Sequence, residues 1–232
     1  MFGMTLRAAI PPFHLVNDSK DAVRVAMGLV ATMTAIVLGM LISSAKSSYD
    51  TQSTEVTQMA AKIVVLDRLL AHYGPEGEDA RGALRSVVTR LLDQMWTNDL
   101  ASLSQVSQFS EANALFDKIQ GFSPKDDEQR ALQGEALRLS MTVGEMRWLM
   151  YHQRLNSVSM PLLIVLVFWL SLIFVGFGVF APPNATVITT LFVSSLSVSG
   201  AVFLILNMYT PYGGLIRVSK APMRAALANL GQ

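Results

Sequence analysis

The chain reads as an all-α, multi-pass helical membrane protein whose helical cytoplasmic domain is formed by long extensions of the membrane helices. Three observations carry that reading. Leu155–Ile216 is a run of 62 residues without one Asp, Glu, Lys, Arg or His; Val25–Ala45 is a second uncharged run; and Lys46–Arg154 between them is ordinarily solvated, with 12 Lys/Arg and 15 Asp/Glu. Only 15% of the 232 residues are charged and the mean hydropathy is +0.40, against about 25% charged in soluble domains. That deficit sits in the uncharged runs alone. A hydrocarbon core about 30 Å thick needs about 20 helical residues to cross. Met160–Phe180 and Val187–Leu206 each have that length, and Ala181–Thr186 (Ala-Pro-Pro-Asn-Ala-Thr) separates them, so they predict a tight hairpin. The chain then divides into an N-terminal segment (1–17), a first span (18–45), a cytoplasmic helical domain (46–157), a second span (158–180), an external turn (181–186), a third span (187–209) and a cytoplasmic tail (210–232).

The first helix starts at the N-cap side chains of Asn17-Asp18-Ser19. From there to Tyr73 its only glycines are Gly28 and Gly39, and it has no proline. One continuous helix over that distance would be ~80 Å long. Its second half carries Tyr49, Val56, Met59, Ile63, Leu66, Leu70 and Tyr73 at alternating spacings of three and four, broken only by Gln52. Extended backwards, that register passes through Ala45, Ile42, Leu38 and Ala35. A sustained 3.5-residue period predicts packing against other helices, within one chain or between copies. Gly74-Pro75-Glu76-Gly77 predicts a stop. Glu78–Trp96 is a second helix, with acids in its first turn and Leu84, Val87, Val88, Leu91 and Met95 on one face. Asn98–Ser110 reads as a weak helix or connection, and Glu111–Ile119 as a short helix ending at Gly121. Ser123-Pro124 before Asp126-Asp127-Glu128 predicts the start of a long helix carrying Leu132, Ala136, Leu139, Val143, Met146 and Met150. No strand pattern occurs.

Charge predicts the orientation. Lys46, Lys62, Arg147, Arg154, Arg217, Lys220 and Arg224 flank one side of the spans, against Arg7, Lys20 and Arg24 on the other, and no acid follows Glu145. The positive-inside rule places the polar domain and the tail in the cytoplasm of a bacterium, with the spans in its inner membrane.

Little in the chain points to catalysis, so a non-enzyme is expected. His14, His72 and His152 are isolated from one another, and no phosphate-cradling glycine loop is present. Zero cysteines exclude disulfides and thiolate chemistry. No cofactor, metal or nucleic-acid partner is expected; the expected partners are the bilayer, further copies of the chain and small ions. Asn184-Ala-Thr matches a glycosylation sequon, a short pattern with frequent chance matches. No Asp, Glu, Lys, Arg or His lies inside the apolar runs Val25–Ala45, Met160–Phe180 and Val187–Leu206, which disfavours ion-coupled transport. In the first span Gly28, Thr32, Ala35, Gly39 and Ser43 form a seam of small residues at which helices can approach closely. Beside it lie Met33, Ile36 and Met40. One reading makes these residues simple packing and lipid contact; the sharper one makes them the apolar constriction of a pore lined by several copies. Ser194, Ser195, Ser197 and Ser199 with Gly200 predict tight packing in the third span, their hydroxyls bonding carbonyls one turn back.

Several stretches together carry a resemblance: Asp18-Ser-Lys-Asp, Ala31-Thr-Met with Leu38-Gly, Ala45-Lys-Ser-Ser-Tyr-Asp-Thr-Gln, Leu66-Asp-Arg-Leu-Leu, Tyr73-Gly-Pro-Glu, Val167-Phe-Trp-Leu, Phe180-Ala-Pro-Pro-Asn-Ala-Thr, Leu196-Ser-Val-Ser-Gly-Ala, and Pro211-Tyr-Gly-Gly-Leu-Ile with Ala221-Pro-Met-Arg-Ala-Ala-Leu. From about residue 17 onwards the chain resembles the bacterial bestrophin-like membrane proteins of unknown function. The resemblance implies an oligomer, and an additional span before Asp18 where this chain offers Met1–Val16: either the start is short or a span has been lost. It also implies acids ahead of Pro211, where this chain has Asn207 and Tyr209. The expected function is an oligomeric passive ion channel. The competing expectation is a non-conducting membrane scaffold whose helical domain binds a partner.

Overall fold

The computed structural model describes residues 17–96, 105–155, 160–180, 182, 184–210 and 212–231. The place of the implied additional span, Met1–Val16, lies outside them, as does most of the expected connection 98–110. Seven helices and no strand occur among the described residues: α1 (Asn17–Tyr73), α2 (Pro75–Trp96), α3 (Gln105–Gln120), α4 (Asp127–Leu155), α5 (Met160–Phe180), α6 (Ala185–Met208) and α7 (Ala221–Asn229). The fold is an all-α membrane protein, and α1, α5 and α6 are long and apolar enough to cross a bilayer. The chain forms two compact units, Met1–Ser47 with Val158–Tyr209 and Ser48–Ser157 with Thr210–Gln232.

In the first unit the early part of α1 packs with the α5–α6 hairpin. Leu41 and Ala45 of α1, Leu166 of α5, and Ile205 and Tyr209 at the end of α6 are buried together. Asn184 caps α6: its side chain accepts a 2.9 Å hydrogen bond from Val187 N. That carboxamide thereby satisfies one of the four donors a helix start leaves open. Only 11, 17 and 6% of the residues in the apolar windows of α1, α5 and α6 are buried within the chain. Most of that apolar surface therefore requires lipid or another subunit around it.

The second unit is a helical bundle built on the stripe of α1. Gln52, Val56, Met59, Ile63, Leu66, Leu70 and Tyr73 are each at most 3% exposed. Each fully buried aliphatic side chain among them contributes about 2 kcal/mol through the hydrophobic effect. Facing them are Ala80, Leu84, Val88 and Leu91 of α2, Leu115 and Ile119 of α3, and Ala136, Leu139 and Met150 of α4. The tail joins the same core: Val218, Met223, Ala226 and Leu230 are buried in it, with α7 lying on α2.

The helix boundaries differ from the pattern reading in three places. The Gly-Pro-Glu-Gly stop shrinks to one residue, Gly74, whose φ of 109° reverses the chain. Pro75 and Glu76 then belong to α2, because proline suits a first helical turn. The start expected at Ser123-Pro124 lies at Asp126 instead. Asp126 Oδ1 accepts from Gln129 N at 2.7 Å, and the Gln129 side chain reaches back to accept from Lys125 N at 2.8 Å. This reciprocal arrangement is a variant of the capping box in which the glutamine takes the amide one residue before the cap, and it outcompetes a serine whose own N–H is held by Glu76 Oε2 at 3.2 Å. On the N-terminal side of the expected 111–119 helix, α3 begins six residues earlier, at Gln105.

Two consequences can be measured. A Cβ placed on Gly77 would lie 2.0 Å from the Leu70 carbonyl oxygen, which is backbone and cannot swing away. Gly77→Ala should therefore separate α1 from α2 and cost at least about 1–3 kcal/mol, read as a lowered unfolding temperature of the detergent-solubilised protein; an unchanged temperature would show that the contact is not rigid. Tyr73 is buried against Phe122, with ring centroids 4.4 Å apart, and its hydroxyl has no hydrogen-bond partner. Burial, followed by the charges of Glu76 and Asp126, raises this phenol above its ordinary pKa of 10.0. Its neutral form is favoured in the folded state, so its contribution is complete below the unfolded pKa of about 10 and is lost as pH rises through the folded value. Tyr73→Phe should be near neutral at pH about 7 and should flatten the alkaline fall in stability; parallel alkaline curves for the two proteins would exclude Tyr73 as its source.

Candidate functional site

Residues on the first span fall into three sectors, roughly 120° apart at about 100° per residue. One sector faces the hairpin: Thr34, Leu41 and Ala45 are buried, with Val37 and Leu38 packed beside them. The register extended from the later stripe places Ile42 and Ala35 there instead, and both are exposed. The second sector is the small-residue seam. Gly28, Thr32, Ala35, Gly39 and Ser43 are all exposed, and a Cβ on Gly28 or Gly39 would meet nothing within 4 Å. The third sector holds Met33, Ile36 and Met40, exposed by 49, 60 and 63%. The five seam residues and the three apolar residues thus lie on separate outward faces of one helix, neither covered by the hairpin of the same chain. One close small-residue contact does occur inside the unit, where the Met27 thioether lies against Gly176 of α5.

Polar groups in the spans are turned inward on their own helices. Thr32 and Thr34 donate to Gly28 O and Val30 O at 2.9 and 2.7 Å. Ser171 donates to Val167 O, Ser195 to Phe192 O and Ser197 to Val193 O. Asn207 Nδ2 donates to Phe203 O at 3.0 Å. These bonds satisfy the hydroxyl and amide donors where water is absent, so the serine-rich part of α6 needs no ligand to account for it.

The polar unit holds a constellation that pattern reading missed. Asp67, 4% exposed, accepts from Arg81 Nε at 3.0 Å and Nη2 at 3.2 Å in a two-pronged pair, and from Gly231 N at 3.3 Å. Arg81 also donates to Glu78 at 2.7 Å. Asp67 and Glu78 together push the guanidinium further above its already high pKa, with hydrogen bonds to them the leading cause. Nearby, Arg85 Nη1 donates to Leu230 O at 3.1 Å. Leu66-Asp-Arg-Leu-Leu thus supplies the acid that ties α1 to α2 and to the tail. The only signal for it was an acid directly beside the stripe residue Leu66, in the middle of Leu66-Asp-Arg-Leu-Leu.

An apolar cavity of about 30 Å³ lies among α1, α2, α3 and α4, bordered by Ile63, Leu84, Leu115, Val143 and Gly144, with Arg147 at its edge. Burial lowers the Arg147 pKa from its ordinary value. A water needs at least about 10–15 Å³, and ligand pockets run to about 300 Å³ or more, so the cavity has room for a water or two and not for a substrate. His72 Nδ1 lies 2.8 Å from Arg68 O, one turn back on its own helix; the side chains of His14 and His152 lie outside the described residues. Among the described residues, no three His, Asp or Glu side chains are grouped to hold a metal ion.

The family model described as Bestrophin-like domain matches residues 1–223 of the chain. No curated protein and no solved structure matches it.

Proposed function

Because the chain belongs to the bestrophin-like family, we propose that it is an oligomeric membrane protein that passes small ions passively through a pore lined by α1. The observation that carries this reading is the division of the first span into three faces. A pore-lining helix in a ring must contact its own supporting hairpin, a neighbouring subunit and the lumen. Here the Thr34–Leu41–Ala45 face meets the hairpin, the Gly28–Thr32–Ala35–Gly39–Ser43 seam takes the neighbour at short range, and Met33, Ile36 and Met40 border the lumen. Rings of such apolar side chains gate by expelling water from a narrow passage. The uncharged runs of the spans, Val25–Ala45, Met160–Phe180 and Val187–Leu206, carry no Asp, Glu, Lys, Arg or His to bind a coupling ion, so transport runs down the gradient without catalysis or cofactor. The membrane is the bacterial inner membrane, with the polar unit and the tail on the cytoplasmic side, as the seven flanking cations favour.

A second reading, a non-conducting scaffold, is favoured by one observation: Met141, Trp148 and Leu149 on α4 are 58, 44 and 54% exposed outside the spans, a surface apolar enough to bind a partner. Purified protein in liposomes separates the two. The channel reading expects a ring and ion flux; a monomer, or a ring that passes no ions, sinks it.

Two substitutions test the faces. Gly39→Leu adds a side chain where the same chain offers open space, so the subunit should fold and the ring should fall apart into smaller species by native mass spectrometry. An intact ring would remove the seam from the interface. Met40→Ala should raise single-channel conductance by widening and wetting the constriction; unchanged conductance would place Met40 outside the lumen.

A further inference from the structure

Immediately after α6 the chain makes a fixed loop that presents apolar and cationic side chains together. Thr210 O accepts from both Gly213 N and Gly214 N, at 3.2 and 3.0 Å. This tight turn keeps Leu215 near Thr210, two residues beyond the last helical residue, Met208. The loop is pinned on its other side. Tyr49 Oη donates to Arg217 O at 3.1 Å, and Trp96 Nε1 donates to Val218 O at 2.9 Å. Trp96 also packs edge-on against the buried Tyr212, with centroids 5.6 Å apart. A loop held this firmly would bury its leucine if a neighbour within the chain offered room. Leu215 is instead 80% exposed, more than any other exposed large hydrophobic residue described.

Exposed cations follow it closely in the sequence. Arg217 and Lys220 on the loop and Arg224 on α7 are exposed, and among the described residues none makes an ion pair. The Arg217 guanidinium is steadied by its own Nε donating to Gly214 O at 2.7 Å, and its terminal nitrogens are not needed for that bond. No Asp or Glu occurs after Glu145, so nothing local in sequence neutralises the three charges. An exposed apolar residue followed by two exposed cations, a few residues along the chain from the end of an apolar span-length helix, suits a bilayer surface: the apolar side chain in hydrocarbon, the cations at the level of the phosphates.

We propose that Gly213–Lys220 is a lipid-binding loop, in which Leu215 enters the acyl layer and Arg217 and Lys220 hold the phosphate of an anionic lipid headgroup, with Arg224 adding longer-range attraction. The assignment gives the Pro211-Tyr-Gly-Gly-Leu-Ile segment a role separate from conduction. Its glycines make the turn, its tyrosine anchors it and its leucine is the inserted tip.

The absence of native cysteine makes the test direct. Leu215→Cys carries a nitroxide in the full-length protein, reconstituted in phosphatidylcholine vesicles with and without phosphatidylglycerol. Phe192→Cys on the exposed face of α6 serves as the lipid reference and Glu128→Cys as the aqueous one. The expected result is relaxation of the Leu215 label by oxygen in preference to a water-soluble nickel complex, as for position 192, and more strongly with phosphatidylglycerol present. Preference for the nickel complex overturns the proposal, and so does shielding from both reagents, which would mark a contact with another subunit. A second measurement needs no label: lipid retained by the native protein on purification from the mixed membrane. Arg217→Gln and Lys220→Gln should each lower the retained phosphatidylglycerol relative to phosphatidylcholine about fivefold; an unchanged ratio in the double variant overturns the assignment of the phosphate site.

Discussion

In hydrocarbon, each backbone or side-chain polar group has to find its partner within the protein. That constraint dictates the span architecture. It makes the spans helices, folds the Thr32, Thr34, Ser171 and Ser197 hydroxyls back onto the preceding turn, and sets the Asn184 cap where the hairpin turns. It also explains why the uncharged runs coincide with the helices that cross. Lipid is as apolar as leucine, so hydrophobicity does not choose which face of a span meets its neighbours. Close approach and shape choose it, and the three faces of the first span differ in side-chain size rather than in polarity.

The same distinction explains what was legible in the sequence. The stripe from Gln52 to Tyr73 was readable, and its members are buried, because water on the other side of that helix forces apolar residues onto one face. Carried back into the span, the register holds at Ala45 and Leu38 and misses by one residue at Ile42 and Ala35. Thr34 and Leu41 are inside where Ala35 and Ile42 had been expected. The α-helix turns every 3.6 residues and a strict heptad every 3.5, so the phase drifts over several turns, and inside the membrane no polar face exists to reveal the drift. The hairpin was legible from charge alone, since the absence of ionisable residues over such a length admits few alternatives.

Elements joined by specific polar geometry were harder to read. The cap at Asp126 depends on Gln129 reaching back, which a cluster of three acids obscures. The Asp67–Arg81 pair unites residues distant in sequence, and the exposed Glu78 pairs with the same guanidinium. The tail looked like a short basic appendage. Its apolar positions, Met223, Ala226 and Leu230, recur at helical spacing after Pro222 and are buried in the bundle. Removing Asp67 alone would leave a nearly buried guanidinium without its two-pronged partner, whereas replacing both partners by apolar groups is the milder change. The pair therefore fixes which surfaces meet more than it adds net stability.

That docked tail has a consequence for how the protein is made. Val218, Met223, Ala226 and Leu230 leave the ribosome after the other described residues of that core, and they follow the second half of the hairpin. Helices α2, α3 and α4 are complete much earlier, yet their bundle lacks those side chains, and Asp67 lacks the Gly231 amide, until α6 has been synthesised. Non-local contacts of this kind are formed late, after the chain between them has been closed into a loop. The order of synthesis thus makes synthesis of the hairpin precede completion of the polar bundle, and a nascent chain arrested before α6 would display an unfinished apolar surface for quality control to recognise.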